Sequence, residues 1–83
     1  MIEERLKHKA MKADLERKAG ELRLEGKGLV RLLRDILEPF QPDLTVLRLE
    51  EAQVQLRRLR EIQLELLEVS GRIRELEQFL GQN

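Results

Sequence analysis

The chain has 83 residues, of which 39% are charged and 2% aromatic, and at this length it forms one small domain at most. Its 16 basic and 16 acidic groups give a formal net charge of zero, so no global field attracts nucleic acid or an anionic membrane. The sequence contains no cysteine, which excludes disulfides, thiolate nucleophiles and thiolate metal sites.

A first helix is predicted over residues 2–38, where apolar residues recur with the spacing of a coiled-coil seam. Alternating steps of four and three residues define the seam as Leu15, Ala19, Leu22, Gly26, Leu29, Leu33 and Ile36. Upstream, an apolar stripe continues in a weaker register through Ile2, Leu6 and Ala10.

Three glycines interrupt this first helix, at positions 20, 26 and 28. Each costs about 1 kcal/mol relative to alanine in a helix interior. One interpretation is a continuous helix, bent at this point, in which Gly26 allows close approach at the seam. The alternative is a break at Glu25–Gly28 that gives two shorter helices.

A loop is predicted over residues 39–43, within the stretch LEPFQPDL. Proline disfavours the helical conformation in the residue before it, so the first helix is expected to end at Glu38. Asp43 and Thr45 are both candidates for capping the next helix. A short loop favours antiparallel neighbours, with Phe40 filling the closed end of the hairpin.

A second helix is predicted over residues 44–80. Its seam is expected to contain Leu49, Ala52, Leu56, Leu59, Ile62, Leu66, Val69, Ile73, Leu76 and Leu80. Two consecutive steps of three, from Leu56 through Leu59 to Ile62, predict a local phase slip in the seam. Phe79 is expected at the open end of the hairpin, near Ile2 and Leu6.

These elements predict an all-α fold, an antiparallel two-helix hairpin in one domain covering residues 1–83. Apolar residues outside the two seams would leave a patch in water, and such patches usually mark interaction surfaces. The proposed self-association surface consists of Val30, Leu32, Leu37, Leu47, Val54, Leu64 and Leu67. A second copy would cover it by two-fold symmetry in a four-helix bundle, with parallel and antiparallel arrangements both open. The inferred shape resembles the small plasmid helical-hairpin dimers of the repressor-of-primer type, a likeness that licenses no function.

Catalytic, metal and cofactor chemistry has little support in the residue inventory. One histidine, one serine, one threonine and no cysteine or tyrosine cannot form a nucleophile, base and orienting group. The glycine-rich stretch has five residues between Gly20 and Gly26, and Gly28 replaces the hydroxyl residue of a phosphate loop. The two seams carry no acidic residue, so an inward-facing carboxylate metal site is not expected, and no cofactor is predicted.

Direct nucleic-acid binding is the main alternative. Arg5, His8, Lys9 and Lys12 share one face of the first helix, and such basic stripes contact phosphates. The possible nucleic-acid contacts are Arg5, Lys9 and Lys12, while His8 is expected to be solvated or to contact a partner. Nearby carboxylates and the lack of aromatic residues for stacking weigh against this interpretation.

The sequence therefore predicts a non-catalytic interaction or oligomerisation module, with a homodimer favoured. A regulatory nucleic-acid-binding protein is the first alternative. A subunit or chaperone that binds a helix of another protein is the second. The N-terminal segment has no apolar core typical of a secretory signal, and no apolar run reaches the roughly 20 residues that span a bilayer, so a cytoplasmic protein is expected.

Overall fold

The structure, a computed structural model, describes residues 2–81 and is all-helical. Helix α1 runs Ile2–Ile36, a short 3₁₀-helix runs Leu44–Val46, and helix α2 runs Leu49–Gly81. The two long helices pack against each other as an antiparallel hairpin, which confirms the predicted fold. The hairpin is a narrow rod with extents of 64 × 16 × 15 Å.

The predicted seam of α1 faces α2. Ala19, Leu22, Gly26 and Ile36 are buried, and the intervening seam residues are half-buried. Helix α1 is continuous through all three of its glycines, which excludes a break at Glu25–Gly28 in the described structure. Only Gly26 lies at the interface, where an added Cβ would stand 3.6 Å from Ile62 Cγ2.

The N-terminal third of α1 continues the seam with polar residues, contrary to the predicted apolar stripe. Arg5, His8 and Lys12 extend the same three-and-four spacing and are half-buried, whereas Ile2 and Leu6 are 78% and 60% exposed. The stripe through Ile2, Leu6 and Ala10 is therefore not part of the seam. The long stems of Arg and Lys can cover apolar surface while their charged ends reach water, which makes such a seam tolerable.

Helix α2 has no phase slip, so that prediction was wrong. Leu56 is 57% exposed, and the neighbouring Gln55 is half-buried in its place. The seam then keeps regular steps of three and four along Ala52, Gln55, Leu59, Ile62, Leu66, Val69, Ile73, Leu76 and Leu80. A seam with regular spacing keeps all of the following seam residues of α2 packed against α1, and this is more favourable than burying Leu56 in place of Gln55.

The connection between the helices is longer than predicted, since α2 begins at Leu49 rather than at residue 44. Asp43 caps the 3₁₀-helix, with its carboxylate accepting bonds from the Thr45 backbone N–H at 3.0 Å and the Thr45 hydroxyl at 2.6 Å. Leu47 then adopts an extended conformation, which separates the 3₁₀-helix from α2. Thr45 and Val46 are β-branched and favour helix weakly, consistent with this delay.

The prediction that Phe40 fills the closed end was also wrong, because its side chain is 89% exposed. The tip is held by short-range bonds instead. The Phe40 backbone N–H donates to the Glu38 carboxylate at 3.1 Å, and the Asp43 backbone N–H donates to the Gln41 side-chain oxygen at 3.0 Å. The loop thus satisfies its polar groups locally and leaves the ring in solvent.

Two contacts join the helices at the open end of the hairpin, where α1 begins and α2 ends. The Arg5 guanidinium donates to the Leu80 carbonyl at 3.1 Å, which places a positive charge at the negative end of the α2 dipole. Phe79 lies at this end, as predicted, and its ring stacks on His8 with centroids 4.2 Å apart. The His8 Nδ1 lies 2.6 Å from the Glu4 carbonyl oxygen, to which it can only donate.

A candidate protein-binding groove

An open apolar groove of about 1,050 Å³ runs along one side of the hairpin. Seam residues form its floor: Leu22, Gly26, Leu59, Ile62 and Leu66. Three exposed apolar side chains stand along its walls, namely Val30 at 44%, Leu56 at 57% and Leu67 at 66% exposure. The groove is the larger of two neighbouring depressions on this side of the hairpin.

The heptad repeat explains which residues form the walls. The residue that directly follows a seam residue lies on one flank of the helix, and the residue that precedes it lies on the other. In an antiparallel hairpin, the residues that follow seam positions on α1 lie on the same side as the residues that follow seam positions on α2. With the exception of Arg57, every wall residue follows a seam residue: Arg23, Lys27, Val30, Gln53, Leu56, Arg60, Gln63, Leu67 and Ser70. We call this the groove side, and the other flank the opposite side.

The groove continues toward the loop in a smaller depression of about 370 Å³. Val30 and Leu59 line both depressions, and Leu37 and Pro39 extend the apolar surface to the end of α1. The apolar surface on this side therefore extends to the loop end of the hairpin.

The rim of the groove is cationic. Four basic residues line the larger depression, and Arg34 lines the smaller one, whereas no acidic residue among positions 2–81 lines either. The four are Arg23, Lys27, Arg57 and Arg60. Within the described residues these four side chains take part in no ion pair or hydrogen bond. Their charge is therefore available to a ligand of the groove.

The opposite side contains the main ion-pair network. Arg58 of α2 donates to both carboxylate oxygens of Glu25 of α1, with Nε–Oε2 at 2.7 Å and Nη2–Oε1 at 2.9 Å. It also lies 3.2 Å from Glu61 and 4.0 Å from Glu65. The Arg58 hydrogen bond holds the pKa of Glu25 below its usual value, and the same bond raises the pKa of Arg58. One guanidinium facing three carboxylates leaves this cluster with an excess of negative charge.

The predicted self-association residues do not form one surface. Val30 and Leu67 line the larger depression, and Leu37 lines the smaller one. The remaining four line neither: Leu32 and Leu47 are half-buried, and Val54 and Leu64 are exposed elsewhere on the rod. The apolar surplus is thus divided between the groove and the outer faces of the hairpin.

The proposed nucleic-acid contacts are also divided. Arg5 and Lys12 lie on the seam, where Arg5 bonds to Leu80 and Lys12 lies 3.6 Å from Glu16, while Lys9 is exposed. Three members of the stripe, Arg5, His8 and Lys12, therefore face α2, and Lys9 faces solvent. The four basic residues of the groove rim, by contrast, are unpaired and lie beside an apolar surface.

Sequence reasoning missed Leu56 and the basic rim. Leu56 was assigned to the seam. A regular seam through Gln55 would have placed Leu56 and Arg60 on one flank and Arg58 on the other. The spacing of the seam therefore contained this information. It was missed because the apolar Leu56 was placed in the seam, although Gln55 fits the regular spacing.

No group of three or more His, Asp or Glu side chains within residues 2–81 is arranged to hold a metal ion. Neither α1 nor α2, over the part of the chain that the structure describes, is long and apolar enough to cross a membrane. Comparison of the chain with protein-family models, curated proteins and solved structures gives no match.

Proposed function

We propose that the protein is a non-catalytic interaction module that self-associates through its groove. Covering the groove of one hairpin with a second hairpin would give a four-helix assembly, the homodimer being its smallest form. The single observation that supports this proposal is the apolar groove of about 1,050 Å³, which two helices alone leave uncovered. Four-helix packing is the common way in which such surfaces are buried.

The sparse core of a single hairpin supports the same proposal. Ala19, Leu22, Ile36, Ala52, Ile62 and Val69 are the buried apolar side chains of residues 2–81. Fully burying an exposed leucine or valine contributes roughly 1.5–3 kcal/mol. Val30, Leu56 and Leu67 together could offset an appreciable part of the entropic cost of association, which is about 4–15 kcal/mol.

The test is the mass of the protein in solution, measured by light scattering after size exclusion over a concentration series. The wild-type chain is expected to exceed its 9.8 kDa monomer mass. The double variant Leu56→Glu/Leu67→Glu should be monomeric because it places two charges in the apolar walls. Leu24→Glu is the matched control, since Leu24 is 75% exposed and does not line the groove.

A wild-type chain that stays monomeric at every concentration would overturn self-association. The groove would then fit a helix of another protein, which is the heteromeric alternative. A double variant that assembles like the wild type would show that a different surface joins the copies. Circular dichroism of both variants checks that the helices remain folded.

A further inference from the structure

Although the net charge of the chain is zero, the groove side and the opposite side of the hairpin carry net charges of opposite sign. The groove side carries six basic residues and two acidic ones, namely Lys9, Arg23, Lys27, Arg34, Arg60 and Arg74 against Glu16 and Glu77. The opposite side carries ten acidic residues and four basic ones, namely Glu4, Asp14, Glu21, Glu25, Asp35, Glu51, Glu61, Glu65, Glu68 and Glu75 against Lys7, Lys18, Arg58 and Arg72. The hairpin is therefore electrostatically polar across its width.

This polarity opposes the most symmetric way of covering the groove. A two-fold axis over the groove would bring the rims of two copies together, so that the basic residues Arg23, Lys27, Arg57 and Arg60 of one copy face the same basic set of the other. Like charges juxtaposed at an interface are strongly unfavourable. A two-fold contact between two opposite sides would suffer the same repulsion between carboxylates and would leave the groove empty.

We propose that the groove of one copy is occupied by the opposite side of a second copy, so that the interface is heterologous. This inference rests on the proposed self-association and specifies its geometry. The acidic flank then faces the cationic rim, and each copy presents one surface of each kind. The other occupant that the charges would fit, an acidic helix of a different protein, is an outcome of the test.

The opposite side also offers apolar groups beside its carboxylates. Val54 precedes the seam residue Gln55 and is 60% exposed. Leu64, on the adjoining outer face of α2, is 55% exposed. Glu61 and Glu68 each lie one helical turn from Leu64, and Glu61 belongs to the cluster around Arg58. This combination is complementary to the walls of the groove, where exposed valine and leucine side chains lie among arginine and lysine.

A heterologous interface leaves one groove and one acidic flank free at the two ends of an assembly. Such contacts generate rings if the rotation closes and open arrays if it does not. The mass of the wild-type chain is therefore expected to rise with concentration beyond twice the 9.8 kDa chain mass. A two-fold dimer would instead reach a plateau at that value.

Two charge-reversal variants test the geometry. The groove variant is Arg23→Glu/Lys27→Glu/Arg60→Glu. The flank variant is Glu61→Lys/Glu68→Lys/Glu75→Lys, which leaves Arg58 its bond to Glu25. Each variant is measured alone and in an equimolar mixture by light scattering, at low salt, with circular dichroism as a check on folding.

Each variant alone is expected to be monomeric. In the groove variant both sides carry a net negative charge, and in the flank variant the opposite side has seven acidic and seven basic residues, so that it no longer attracts the cationic rim. The mixture is expected to regain assembly, since each variant supplies the surface that the other lacks. A flank variant that assembles like the wild type, a wild-type plateau at the dimer, or a mixture that stays monomeric would overturn the heterologous interface. These results would leave self-association itself intact, whereas a monomeric wild-type chain would overturn both.

Discussion

Arg58 and Glu25 join the two helices through a two-pronged hydrogen bond across 33 positions of sequence. The pair lies beside Gly26, which packs against Leu59 and Ile62 of α2, and so links the two helices within their shared seam. Both side chains remain partly exposed, at 38% and 45%. Exposed ion pairs are usually weak, but bidentate geometry and the additional carboxylates of Glu61 and Glu65 favour an ordered network.

The Glu25 bond should make the stability of the hairpin depend on pH. Because the folded state lowers the pKa of Glu25, it binds fewer protons than the unfolded state near that pKa. The stabilisation is therefore present above the ordinary glutamate value of 4.5 and is lost as the pH falls through the folded-state pKa. Glu25→Gln should lower the melting temperature at pH 7, and the difference from wild type should shrink at acidic pH.

Glu21→Gln is the matched control for this experiment, since it removes an exposed carboxylate one turn earlier on α1. Its effect at pH 7 should be smaller than that of Glu25→Gln. A difference between Glu25→Gln and wild type that stays constant from pH 7 to pH 3 would contradict the assigned role. All melting curves are compared at one protein concentration, because association shifts apparent stability.

Gly26→Ala is expected to stabilise the hairpin. The added Cβ would stand 3.6 Å from Ile62 Cγ2 and 3.7 Å from Leu59 Cδ1, which are ordinary van der Waals distances. Alanine also improves helix propensity by about 1 kcal/mol. Gly28→Ala supplies the control, because its Cβ meets no atom within 4 Å and only the propensity changes. Urea unfolding that shows Gly26→Ala to be less stable than Gly28→Ala would indicate that the helices pack more tightly than the structure shows.

The register of the α2 seam can be tested at two adjacent positions. Gln55→Leu should raise the free energy of unfolding, because it places an apolar side chain at a half-buried seam position. Leu56→Gln should change hairpin stability little, since Leu56 is 57% exposed, but it should weaken association through the groove. If Leu56 were in the seam, its replacement would instead cost roughly 2 kcal/mol or more.

The two phenylalanines should differ sharply in their importance. Phe79 is 37% exposed and stacks on His8, so Phe79→Ala is expected to cost of the order of 1–2 kcal/mol, less than for a fully buried ring. Phe40 is 89% exposed, so Phe40→Ala should leave the melting temperature unchanged. Hydrogen exchange should show the loss at the open end of the hairpin, in the first turns of α1. Equal effects of the two variants would contradict the positions of the rings.

The regular parts of the fold could be predicted from the sequence because they depend on spacing alone. Seven seam positions of α1 recur without exception. The one glycine among them, Gly26, remains helical because the seam residues before and after it pack against α2. The start of α2 could not be predicted in this way. Asp43 is a good cap for any helix, and only the structure shows that it caps a 3₁₀-helix that ends before α2 begins.

The candidate site was harder to predict, because it depends on which residues flank the seam. One shift of register, from Gln55 to Leu56, moves a leucine from the core to the wall of the groove. The polar residues Arg5, His8 and Lys12 were likewise interpreted as part of a solvent-exposed basic face. Their hydrophobicity alone gives no reason to place them against α2. Their positions follow from the periodicity of α1 once the seam is extended to its start.

The pairing of two helices through one regular seam also limits how the length of the chain can change. Gly26 lies against Leu59 and Ile62, and Arg5 reaches Leu80 at the far end, so every position of α1 has a fixed counterpart on α2. Removing residues from one helix alone would displace all contacts between that point and the open end. Related chains should therefore differ in length by matched multiples of seven residues in both helices, while the loop should accept insertions of any size.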